Sequence, residues 1–207
     1  MKLIGCLFAL LPLLSCTEAP ELLQNNNIER YTLVRDVFWA SPDGFDLTMD
    51  IYTPRSGRDS YPVVVMFHGG GFLMNNKSIM DQSAAYLATN SEYIICNVNY
   101  RLLSDNDNTT TLDNIVSDAF GAVLWVTDNI SDYKGDSGRI AVTGDSAGGH
   151  LSAMIVNRGT ELSTEAFSPN SLRFTPSYLP VGESAEDVAE RNGLEVQAAI
   201  LSYPYDF

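Results

Sequence analysis

The sequence predicts an α/β fold built on a mostly parallel central sheet, and three observations predict it. Short continuous apolar runs recur at 62–67, 93–98 and 139–143, as expected of strands buried on both faces. Segments with helical spacing separate them. A hairpin-like pair of strands precedes them all, so strands alternate with helices after an antiparallel start, the pattern of a sheet joined by right-handed crossovers.

Taken in order, residues 31–40 and 46–52 read as strands joined by the turn Ser41-Pro42-Asp43-Gly44, whose residue types favour turn backbone angles. The run 62–67 is the first buried strand and 93–98 the second, with a helix expected over 80–88 between them. A longer helix is expected from 112 to 130, because Ile115, Ala119, Ala122 and Val126 recur at three- and four-residue spacing on one face. The strand 139–143 runs straight into a helix of small and apolar residues at 146–156, and 196–203 is a strand again. Residues 159–193 differ. They are polar and acidic, carry Pro169, Pro176 and Pro180, and form an insertion outside the sheet with a short helix near 183–191. Such an insertion is equally a lid over a site or a surface loop.

Of the 207 residues, 45% are hydrophobic and 18% charged, enough apolar material for one globular domain. The 26 acidic against 12 basic residues give a formal charge of -14, which repels a polyanion and excludes nucleic acid as a partner. The chain opens with Lys2 and an apolar run over 3–14 that is too short to span a bilayer comfortably, the pattern of an export signal. It ends in Leu13-Leu14-Ser15-Cys16, which resembles a bacterial lipobox with Cys16 as the lipidated residue. Residues 1–16 are then a signal and 17–29 a polar tether. The expected location is the bacterial cell envelope, as an outer-membrane lipoprotein held by its lipid anchor; a periplasmic or secreted product is the alternative. With Cys6 in the signal, Cys96 remains as a small buried hydrophobe, and no disulfide framework is expected. The two isolated histidines and scattered carboxylates show no ligand spacing, so neither a metal nor another cofactor is expected.

Two motifs carry chemistry. Gly144-Asp145-Ser146-Ala147-Gly148 matches G-x-S-x-G and lies between a buried strand and a helix, where a tight turn strains the serine backbone and pushes its hydroxyl out at the sheet edge. The helix N-terminus there favours negative charge, which suits an acyl-transfer intermediate. Three fixed positions arise by chance in about 1 chain of this length in 15, so the strand–turn–helix context carries much of the weight. The second motif, His68-Gly69-Gly70-Gly71-Phe72, follows the 62–67 strand directly. Its four specified positions arise by chance in about 1 such chain in 1000. Bare glycine amides there can aim at a carbonyl oxygen as it becomes anionic. A glycine turn without catalytic duty is the alternative, weakened by the presence of the serine motif.

HGGGF, then Asn99-Tyr100-Arg101 ending the next strand, then GDSAGG at 144–149, resemble the hormone-sensitive-lipase-like branch of the α/β hydrolases. The Leu47, Asp50, Ile51, Tyr52 and Pro54 region is similar to bacterial carboxylesterases of the acetyl- or feruloyl-esterase kind that act on acylated polysaccharide. The resemblance implies a serine hydrolase acting on carboxylic esters, small or polysaccharide-linked. It also implies residue roles: Ser146 as nucleophile, the Gly70, Gly71 and Ala147 N–H groups as the oxyanion hole, and His68 with Gly69 shaping the loop. In that family the triad acid and histidine follow the serine. No histidine follows His150 in this sequence, so the triad Asp and His are expected to be absent from it, together with the last strands and helices of the fold. Asp206 is a weak candidate acid. His150, one helical turn beyond Ser146, and His68 are both expected to be structural. The 207 residues by themselves are therefore expected to be inactive and marginally folded. A serine peptidase of the same fold, or a non-catalytic envelope lipoprotein, are the competing functions.

Overall fold

The computed structural model describes residues 30–165, 167–168 and 171–204. The lipobox Cys16, the signal and tether over 1–29, and Asp206 lie outside the described residues. Six strands form one sheet in the order β1-β2-β4-β3-β5-β6. β1 (Tyr31–Ala40) and β2 (Leu47–Pro54) make the antiparallel start, and β2 pairs antiparallel with β4 (Ile94–Val98). From there β4, β3 (Tyr61–Phe67), β5 (Gly135–Asp145) and β6 (Ala198–Ser202) are parallel neighbours. The α/β architecture with its mostly parallel sheet is thus the one the alternating pattern predicts.

Four helices fall near their predicted places, α1 (Asp81–Asn90), α3 (Leu112–Asn129), α4 (Ala147–Arg158) and α5 (Ala185–Glu190), and the single turn α2 (Asp105–Asn108) adds one that the pattern did not predict. In α3 the predicted stripe of Ile115, Ala119, Ala122 and Val126 has no exposed surface. Its start is set by Asn114, whose side chain accepts from the Thr111 N–H at 3.0 Å, satisfying a donor the helix leaves open.

Side chains alternate between two faces of the sheet, as strand geometry requires. Val63, Val65, Phe67, Cys96, Val98 and Val142 pack with α3 and α4 in the larger core, whereas Met66 and Ile95 meet Ala84 and Ala88 of α1 in a smaller one. β4 is buried throughout as expected. The expectation that 62–67 and 139–143 are buried on both faces is corrected: Val64, Ala141 and Thr143 are only partly covered. The reason is that α1 packs mainly against β2 and β4. An apolar groove of about 480 Å³, lined in part by Val64, Met66, Ala141 and Ile200, is left on that side.

The insertion is fastened along α3. Phe174 meets the Phe120 ring edge-on at 5.3 Å, the Ser177 N–H donates to the Ser117 carbonyl at 3.0 Å, and Leu162, Phe174, Ala185, Val188 and Leu194 are all buried. These contacts lay the described part of the insertion along α3.

Candidate active site

β3 and β5 run parallel in a register that pairs Phe67 with Gly144. The HGGG turn leaves the end of one strand and the serine turn leaves the end of the next, so the sequence places both motifs at the same sheet edge. They touch. The Gly69 N–H donates to Asp145 Oδ1 at 2.9 Å, and Asp145 is the variable residue of G-x-S-x-G. A side chain at Gly148 would meet the Phe67 carbonyl oxygen at 2.0 Å, so only glycine lets the two turns pack this closely.

Ser146 has φ 51 and ψ -114, a left-handed, strained backbone of the kind held at functional sites by surrounding structure. Its own N–H is taken by the Ser202 carbonyl of β6 at 2.9 Å and its carbonyl accepts from the His150 N–H at 3.0 Å. The side chain is left at the opening of α4, partly exposed. The amides of Gly70, Gly71 and Ala147 have no acceptor among the described residues. The glycine turn is itself left-handed, with φ 131 at Gly70 and 62 at Gly71, and Leu73 and Met74 donate back to the Gly70 carbonyl at 3.1 and 3.2 Å. These three donors lie on the two turns that the Gly69–Asp145 hydrogen bond joins.

His68 stands between β3 and the glycine turn. Its ring is fully buried and stacks on Tyr100 at 4.3 Å, and Nδ1 donates to the Gly69 carbonyl at 2.8 Å. Burial holds the imidazole below its ordinary range. Tyr100 donates to the His68 carbonyl at 2.6 Å, and burial pushes its phenol up, out of reach as a base. His150 sits one turn into α4, its ring edge against Phe72 at 5.9 Å. Cys96 is buried, and burial raises its thiol, in keeping with an inert core residue.

Sequence reasoning missed two contributors. Asp145 occupies a position the motif leaves free. Tyr100 is visible within Asn99-Tyr100-Arg101, but only the structure shows its ring on His68.

The sheet order, the strained serine between β5 and α4, and the facing glycine turn are those of the α/β-hydrolase fold. Residues 49–177 match the BD-FAE family, and the chain belongs to it. It is 36% identical over 136 residues to carboxylesterase NlhH of Mycobacterium tuberculosis, which covers 66% of this chain and 40% of that protein. Esterase LipI of the same organism is 36% identical over 114 residues, covering 54% of this chain and 34% of its own. The chain thus spans well under half the length of these curated relatives. Among solved structures, a hyperthermophilic esterase from the archaeon Pyrobaculum calidifontis superposes with a TM-score of 0.61 at 28% identity, covering 87% of this chain and 46% of that one. A thermophilic esterase from Thermogutta terrifontis gives 0.61 at 23% identity over 86% of this chain and 54% of that one, which shows the shared fold.

Proposed function

We propose that the protein hydrolyses carboxylic esters through an acyl-enzyme on Ser146, with the Gly70, Gly71 and Ala147 amides holding the oxyanion. The observation that carries this is the Gly69–Asp145 hydrogen bond, 2.9 Å long, which fixes the glycine turn beside the serine turn. The names of the relatives, carboxylesterase and esterase, support the same chemistry. The ester carbonyl sits with its oxygen toward the three amides; the Ser146 hydroxyl adds to its carbon, the alcohol leaves, and water releases the acid.

Serine needs a base to accept its proton. His68 is committed to the Gly69 carbonyl and buried, and His150 lies one helical turn beyond Ser146 with its ring against Phe72. The chain covers 40% of NlhH, and we assign the base to neither of these histidines. Ester hydrolysis by the whole protein should fall at least about a thousandfold in Ser146→Ala. Unchanged hydrolysis of p-nitrophenyl acetate would remove the proposal.

We also propose that the protein is exported and anchored through Cys16. Lys2, the apolar run 3–14 and Leu13-Leu14-Ser15-Cys16 support it. Metabolic labelling with a fatty acid should mark the protein and should vanish in Cys16→Ser; equal labelling of both would contradict the anchor.

A further inference from the structure

The segment that carries the glycine turn is held at both ends, and its far end rests on a buried cation. At the near end, the Gly69 N–H is bonded to Asp145, and its carbonyl accepts from His68 Nδ1 and from Asn75 Nδ2, the latter at 3.4 Å. At the far end stands Lys77, 8% exposed. Its N–H donates to Asn99 Oδ1 at 2.7 Å and its carbonyl accepts from Asn97 Nδ2 at 2.8 Å. Its ammonium donates to Asp50 at 2.6 Å and to Asp36 at 2.8 Å. Asp50 is wholly buried on β2, where it also accepts from the Asp36 N–H at 2.8 Å and from Arg35 at 2.9 Å. Asp36 is aimed at the ammonium by a break in the β1–β2 register between Val34 and Val37, with φ 52 at Asp36 itself. Re-aiming one side chain is what a strand bulge does.

Between these two ends the backbone is strained. Phe72 and Asn75, neither a glycine, have φ 63 and 79, beside the left-handed Gly70 and Gly71. Such angles persist only where the surroundings over-determine them. A turn of this kind relaxes when one end is released, and the direction of the Gly70 and Gly71 N–H groups relaxes with it.

We propose that Lys77 is a positioning residue: clamped between Asp50 and Asp36, it fixes the end of the 69–77 segment and so the aim of the Gly70 and Gly71 amides at the reacting carbonyl. The inference rests on the esterase function proposed above. A hole that aims poorly loses the transition state more than the ground state, so its signature is a fall in kcat with KM held.

The test uses the whole protein with Lys77→Met, Lys77→Arg and Asp36→Asn. The Asp36 carboxylate is largely exposed, so its variant keeps the fold while loosening the clamp. In folded protein, Lys77→Met should lower kcat for p-nitrophenyl acetate at least tenfold with KM within twofold. It should weaken a trifluoromethyl ketone, which forms a tetrahedral adduct, by a similar factor. Lys77→Arg should restore part of the loss, and Asp36→Asn should show a smaller fall of the same kind. The Gly70 and Gly71 amide resonances should shift in Lys77→Met, a readout that needs no catalysis. Unmoved glycine resonances, or kcat within twofold of the parent in both Lys77→Met and Asp36→Asn, would overturn the positioning role. Should Lys77→Met fail to fold, Asp36→Asn alone decides by the same readouts. Absence of Ser146-dependent hydrolysis in the parent protein would instead strike the esterase assignment, leaving the resonance shifts to judge the clamp.

Discussion

At the scale of single residues, the site depends on what a side chain would collide with and on what burial does to a proton. Gly148 and Gly71 separate these causes. A methyl group at Gly148 would sit 2.0 Å from the Phe67 carbonyl oxygen, so Gly148→Ala should cost about 3 kcal/mol or more through backbone displacement. At Gly71 nothing lies within 4 Å, but φ is 62, so Gly71→Ala should cost only about 1–2 kcal/mol of left-handed strain. Denaturant melts of the two variants check the order. His68 makes a pH prediction. Burial lowers its folded value from the ordinary 6.5, so the unfolded chain takes up the proton first. Stability should be complete above 6.5 and fall as pH drops toward the lowered value, with a slope of at most about 1.4 kcal/mol per pH unit for one proton. His68→Gln should remove that part of the slope in melts taken across pH 5.5 to 7.5 at roughly half-unit steps.

At the scale of elements, Arg101 joins parts of the chain that are distant in sequence. Buried at the end of β4's loop, it grips Asp118 of α3 through Nε at 2.9 Å and Nη2 at 2.8 Å and reaches Asp43 of the first turn at 2.6 Å. Ser177 of the insertion donates to the same Asp118. Removing one partner leaves a buried charge uncompensated, so Asp118→Ala should destabilise by about 3–5 kcal/mol. Arg58→Ala, which breaks only an exposed pair with Glu92, should leave the unfolding midpoint in place. Elements were legible in sequence to the extent that their signal is local. The α3 stripe and the strand-to-helix step at Ser146 follow from period and motif, and both stand within a residue or two of expectation. What was not legible is pairwise and distant. Asp145 bonding Gly69 across 76 positions, or Lys77 finding Asp50, depends on which strands become neighbours, and no window of sequence contains both partners. The path of the insertion over α3 is not legible for the same reason: its buried Phe174 and Val188 are apolar residues without a helical or strand period in a polar stretch.

At the scale of the whole molecule, coverage of the sheet is uneven. One face is closed by α3 and α4, whereas the other carries α1 over β2 and β4 and an open apolar strip beyond it. Edge strand β6 shows Ile200 63% and Leu201 43% exposed, a combination that invites association. Residues 1–207 produced alone should bind the dye ANS and self-associate, and Ile200→Lys should reduce both; light scattering and dye fluorescence measure this. A protein extending through the length of NlhH should show neither if its additional sequence covers the strip.

The central claim is that residues 144–148 and 69–71 form one acyl-transfer site with Ser146 as its nucleophile. Treating the whole protein with a fluorophosphonate and mapping the adduct by peptide mass spectrometry tests it most directly. The account predicts one phosphonyl group on Ser146, formed in step with the loss of ester hydrolysis. Full inactivation with Ser146 unmodified, or a labelled Ser146 with hydrolysis intact, would contradict it.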